Sequence, residues 1–244
     1  MASTSETGHA KNVANFEKLI SFCTSYGGDY NPSNTALSVA ALGTVFTNTG
    51  AAMDAFRQSK VTYTNAVNAR QLEFKDIKSL STRIVNALAV SGAGQGIIKD
   101  ARTINRKIQG SRASKKAAPP ADPNTPVPKT ISVSQLSYDQ QVEHCGALTE
   151  LVSQEPLYKP NEADLKTAAL GTKVAALKTA NTNVDNTYTD YNNKALDRNN
   201  VLYAPIKGLV AVAIDAKSYI KSAFGASSPR YKQVSGLRFK TVKV

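Results

Sequence analysis

The chain has 244 residues, enough for one or two domains with a buried core. Hydrophobic residues make up 41% and charged residues 20%, and 30 Lys and Arg stand against 18 Asp and Glu, a net charge of +12. These proportions exclude a collagenous chain, a disulfide scaffold, a multi-span membrane protein and wholesale disorder.

Residues 1–11 form a polar, Ser/Thr-rich tail with no basic segment leading into an apolar one. No secretory signal is visible, which predicts a cytoplasmic protein, with signal-independent export as the alternative. Asn12 to Tyr26 carries Val13, Phe16, Leu19, Ile20 and Cys23 at helical spacing and stops at Gly27-Gly28. Ser33 is a natural N-cap for the next helix, and no strong helix stop then appears until Ser91. Met53, Phe56, Tyr63, Val67, Phe74, Ile77, Leu80 and Ile84 keep a 3-4 spacing along this stretch. It reads as one long helix of about 60 residues with a coiled-coil-like seam, continuous or kinked. The alternative is a pair of ordinary helices broken near Leu72. Ser91-Gly92-Ala93-Gly94-Gln95-Gly96 lacks the Gly-Lys-Ser/Thr of a phosphate-binding loop and reads as a helix stop and turn.

Residues 117–128 contain five prolines in twelve positions and read as an extended connector. A second helix is expected from Ser137 to Ser153, where Ser137 and Gln140 fit a capping box. Asn161 repeats the cap of Ser33, and a second long stretch runs to Phe224 with Leu177, Val184, Tyr188, Tyr191, Ala195, Leu202, Ile206 and Leu209 in its seam. Pro205 is its one internal proline, so the alternative break lies near Val201. The last residues alternate apolar and basic, and Leu237, Phe239 and Val242 are the apolar steps of an expected strand. Such a strand pairs either in cis with Ile131–Val133 or in trans with another molecule, where it acts as an assembly element.

The second half echoes the first. Ala40-Ala-Leu-Gly-Thr44 recurs at 168–172, and Tyr30, Tyr63 and Arg70 match Tyr158, Tyr191 and Arg198, all 128 residues apart. The expected fold is therefore all-α, an elongated tandem-repeat helical bundle with long coiled-coil-like helices and a small C-terminal β element. The expected parts are a tail at 1–11, helical repeat 1 at 12–112, a Pro-rich linker at 113–134, helical repeat 2 at 135–236 and a basic strand-like tail at 237–244. Arg70 and Arg198 either snorkel or pair with carboxylates, for which Glu73 and Asp197 are the candidates.

Little points to catalysis. His9 lies in a polar tail, and His144 and Cys145 are helix neighbours whose side chains diverge by about 100°. Cys23 and Cys145 form no C-x-x-C and read as reduced thiols. No metal-ligand or cofactor motif appears, so no catalytic residue, metal or cofactor is expected. The charge is more informative. Lys99, Arg102, Arg106, Lys107, Arg112, Lys115 and Lys116 cluster at the end of the first repeat, and Lys217, Lys221, Arg230, Lys232, Arg238, Lys240 and Lys243 at the end of the second. These are candidates for binding an anionic partner.

The blocks His9–Leu19, Arg198–Tyr203 and Ser222–Gly236 look like an uncharacterised family of bacterial proteins of this length. The resemblance spans nearly the whole chain and implies no activity, ligand or site residue. The expectation is a non-enzymatic, self-assembling structural protein that forms oligomers or filaments through its repeats and tail. The alternatives are a basic nucleic-acid-binding protein and, last, a membrane-active helical protein.

Overall fold

The computed structural model describes residues 8–110 and 136–242. Every regular element among them is helical and none is a strand. In chain order these are α1 (His9–Ser25), α2 (Val39–Phe74), α3 (Ile77–Ala89), α4 (Gln95–Gln109), α5 (Tyr138–Ser153), α6 (Thr167–Tyr203), α7 (Leu209–Phe224) and α8 (Pro229–Ser235). Short 3-10 turns precede α2 and α6 at Thr35–Leu37 and Ala163–Leu165.

The helices form two compact units, residues 1–63 with 187–244 and residues 64–186. Each unit thus combines a segment from each half of the chain. In the first unit, α1 turns Phe16, Leu19 and Cys23 inward against Leu202, Leu209, Ala213, Ala216 and Ile220. Within it α2 and α6 meet through aromatic pairs, Phe56 with Tyr191 and Tyr63 with Tyr188 and Tyr191, at centroid separations of 5.3–5.8 Å. In the second unit, Ile77, Ile84 and Leu88 of α3, Ile98 and Ile108 of α4, Leu148 of α5 and Leu170 of α6 form the core. There Lys173 of α6 pairs with Glu73 of α2 at 2.6 Å.

Local features recur at the 128-residue offset. Tyr30 donates its hydroxyl to the Leu37 carbonyl at 2.8 Å, and Tyr158 donates to the Leu165 carbonyl at 3.0 Å. All four residues are buried, so each bond satisfies polar groups that water does not reach.

The expected 60-residue helices are broken, close to the alternative positions. α6 stops at Tyr203 because Pro205 has no amide to donate and disfavours helical geometry in Ala204. The chain then turns through Ile206 at φ 68, with the Lys207 amide bonded to the Pro205 carbonyl at 2.7 Å. This tight turn ejects Ile206, which is 79% exposed instead of lying in the seam. α2 ends at Phe74 without any proline or glycine, through a single bond from the Lys75 amide to the Leu72 carbonyl.

Capping departs from expectation as well. Ser38, not Ser33, accepts the Ala41 amide at the start of α2, and Asn34 caps the preceding 3-10 turn. The Ser137 cap forms as expected, accepting the Gln140 amide. Gly110 ends α4 at φ 76, a left-handed conformation that favours glycine, and it lies against the Leu136 side chain.

Candidate functional site: two basic segments and the C-terminal tail

The two basic segments differ in what their side chains touch. In the second unit, Lys99, Arg102 and Arg106 recur at i, i+3 and i+7 on α4, which places them on one face. They and Lys107 are exposed, while Ile98, Ala101 and Ile108 fill the opposite face. Among the described residues no carboxylate lies within ion-pair distance of these four cations. The start of α3 lies beside the end of α4, since Lys78 donates to the Gln109 carbonyl at 3.3 Å and Gln109 returns a bond to the Lys78 carbonyl at 2.7 Å. Arg112, Lys115 and Lys116 lie outside the described residues.

Much of the basic segment in the first unit is spent on its own fold. Arg230 stacks over Phe224 at 4.6 Å and pairs with Asp29 at 2.8 Å. Lys217 donates to the carbonyls of Leu237 and Ser235 at 2.6 and 3.1 Å, and burial lowers its pKa. Lys221 sits 5.9 Å over the Tyr231 ring. Lys232, Arg238 and Lys240 are exposed, and Lys243 lies outside the described residues.

The C-terminal segment corrects the expected strand. Residues 237–242 run without regular secondary structure along α1 of the same unit. Asn12 holds both backbone groups of Lys240, donating to its carbonyl at 2.7 Å and accepting its amide at 3.1 Å. Asn15 donates to the Arg238 carbonyl at 2.8 Å. Leu237 and Phe239 pack on the core of the first unit, and Val242 is half-buried. Side-chain amides thus replace a partner strand. The expected cis partner, Ile131–Val133, lies outside the described residues. Sequence reasoning misses Asn12 and Asn15; two buried amides on the apolar face of α1 are the available signal.

Of the two readings of Arg70 and Arg198, pairing with Glu73 or Asp197 is not what the structure shows. Arg70 stacks 4.0 Å over the Tyr138 ring and donates to Asn181, whose amide reaches Asp139 at 2.5 Å. Arg198 is buried 4.0 Å over the Phe56 ring and donates twice to Asn199. Glu73 is taken by Lys173, and Asp197 lies 3.7 Å from Lys194.

Burial raises Cys23 and Cys145 to about 11, which keeps both thiols protonated near neutrality. Burial, then the charge of Lys107, lowers the pKa of His144, and burial, then Arg198, lowers that of His9. Among the described residues no group of three or more His, Cys, Asp or Glu is arranged to hold a metal ion. None of the described helices is long and apolar enough to cross a membrane.

The sequence also hid an acidic surface. Residues 136–164 carry six acidic residues and one lysine, and Asp139, Glu143 and Glu150 are exposed on α5. No protein-family model matches the chain, and no curated protein or solved structure is significantly similar to it.

Proposed function

We propose that this chain is a non-enzymatic helical protein whose role is to associate with copies of itself. It is read as an elongated tandem duplication whose long helices pair in coiled-coil-like fashion. The observation that carries this reading is the exchange of halves. Each compact unit draws one segment from each half of the chain, which supports a fold built by pairing like repeats. The recurring helix order and the Tyr30–Leu37 and Tyr158–Leu165 bonds support the duplication. A surface evolved to pair with its own kind is a natural starting point for oligomers or filaments.

Severing the chain within the Pro-rich linker tests the pairing of repeats. The two fragments are expected to copurify in equal amounts, and a first-repeat fragment that folds alone as a stable monomer refutes it. Sedimentation velocity and electron microscopy at rising concentration test association of the intact chain. A particle that stays monomeric throughout refutes that reading.

A second reading rests on the α4 cations, whose exposure and lack of ion pairs among the described residues suit a polyanion such as nucleic acid. It predicts binding at about 50 mM salt that weakens steeply as salt rises.

A further inference from the structure

The two oppositely charged stripes of the second unit lie on helices packed against each other, α4 and α5. Their relative direction follows from one contact: Gly110, at the end of α4, lies against Leu136, just before α5. The charge of Lys107 acting on His144 agrees with it. The helices are therefore antiparallel, and Lys99 lies within about a turn of the level of Glu150, as Arg106 does of Glu143. Both pairs are spaced seven residues apart on their helices, about 10.5 Å along each axis. All four side chains are exposed, and none has an opposite charge within ion-pair distance among the described residues.

We infer that this α4–α5 face is the docking surface for a second copy of the chain. The inference rests on the self-association reading and assigns it an interface. A two-fold axis parallel to the helices would set α4 of each copy over α5 of the other. Lys99 would then face Glu150 of the second copy, and Arg106 would face Glu143, both twice over. Because the axis exchanges the stripes, one contact satisfies both signs and closes the assembly as a dimer. Gly146 and the exposed Ala147 lie between the two glutamates and leave room for a close helix approach. A polyanion fits this face less well. A phosphate chain lying on α4 would come within about 10 Å of the acidic stripe, close to the screening length at 0.1 M salt. A second copy brings the complementary sign to both stripes.

The test is charge exchange, read by sedimentation velocity on the full chain. The wild type is expected to dimerise at about 50 mM salt and to dissociate at about 500 mM, where screening shortens to a few ångströms. Lys99→Glu with Arg106→Glu, and separately Glu143→Lys with Glu150→Lys, should each weaken dimerisation at least tenfold. Mixed in equal amounts, the two variants should recover a dimer, since each then meets the opposite sign on both stripes. Circular dichroism checks that the variants fold. If the reversal disturbs folding, Lys99→Gln with Arg106→Gln must weaken the dimer in the same direction. Association that neither pair of substitutions changes overturns this interface and leaves self-association standing. A wild type that is monomeric at low salt overturns both. A monomer that binds a duplex DNA probe, and loses it with Lys99→Glu and Arg106→Glu, assigns the face to nucleic acid and overturns the inference.

Discussion

Removing the amides that hold the C-terminal segment should open it without unfolding the helices beneath. Asn12 makes two hydrogen bonds to the Lys240 backbone, and Asn15 makes one to Arg238. At about 1 kcal/mol net per bond, Asn12→Ala costs the tail about 2 kcal/mol and Asn15→Ala about 1. Lys240 and Arg238 are exposed, so water takes over the released backbone groups and the costs stay near these values. Alanine is also the better helix former by several tenths of a kcal/mol, which favours α1 at both positions. Asn12 also donates to the Tyr203 hydroxyl of α6 at 3.4 Å, a long bond beside the 2.7 Å one that joins His9 to the same hydroxyl, so the loss falls mainly on the tail. The double variant should populate the open tail about 100-fold more often, since 1.4 kcal/mol is a factor of ten in population. Trypsin cutting after Arg238 and Lys240 at low protease concentration should accelerate accordingly, while the melting temperature changes little. Unchanged cleavage would show that Leu237, Phe239 and Lys217 hold the segment without the amides. A matching fall in melting temperature would refute the premise that the tail opens locally.

Three further substitutions and one titration probe the units separately. Ile206→Gly relieves a β-branched residue at φ 68 and should stabilise the chain by about 1 kcal/mol, read by denaturant midpoint; a loss of stability would mean that the turn is not strained. Gly208→Ala should do the reverse by more than about 2 kcal/mol, because its Cβ would fall 2.5 Å from the Ala204 nitrogen; a neutral result would show that the turn yields. In the second unit a crevice of ≈ 20 Å³, room for about one water molecule, is lined by Leu80, Cys145, Leu148 and Val174. Phe46 occupies the position 128 residues before Val174 and packs on the core of the first unit, but the crevice is too small for a ring, so Val174→Phe should overpack it and cost about 1–3 kcal/mol. An unchanged or higher melting temperature would mean that the ring finds room. Both thiols are raised from 9.0 to about 11, so the folded state holds their protons more tightly than the unfolded state does. Their contribution is complete below pH 9 and fades as pH climbs to about 11, by on the order of 2 kcal/mol per thiol. Alanine at both positions should flatten that part of the stability profile, and an unchanged profile would refute the assignment.

Periodicity made the helices legible, and chemistry at their ends decided how far each ran. Phe16, Leu19 and Cys23 mark the buried face of α1 in the sequence, and Ser137 marks the start of α5. Pro205 signals the end of α6, but the turn geometry that ejects Ile206 leaves no signature, since an isoleucine in that register reads as a seam residue. The break after Phe74 is less legible still, because no residue there opposes a helix. Alternation in the tail was visible, yet the same period serves a strand and a segment pinned by side-chain amides, and only Asn12 and Asn15 distinguish them. The arginines show the limit most clearly. Arg70 and Arg198 lie 128 residues apart, but ring stacking on Tyr138 and Phe56 took the place of ion pairs, and stacking partners lie far away in sequence.

The net charge of +12 therefore divides by what each cation touches, and the division locates the surface most open to a partner. In the first unit Arg230, Lys217 and Lys221 fasten the chain's last helices and tail to their own surroundings. A partner that recruited them would have to displace Asp29, two backbone carbonyls and an aromatic ring. In the second unit Lys99, Arg102 and Arg106 have no such commitments, and neutralising them breaks no ion pair of the fold among the described residues. Their neighbour α5 presents Glu143 and Glu150 exposed and outside any ion pair among the described residues, Glu150 accepting one bond from the Gln154 amide at 2.6 Å. A basic stripe alone would attract any polyanion, whereas an adjoining acidic stripe at the same spacing makes the surface complementary to itself. Screening by salt acts on both stripes at once, so an assembly built on them is tuned by ionic strength, while the apolar cores of the units are not.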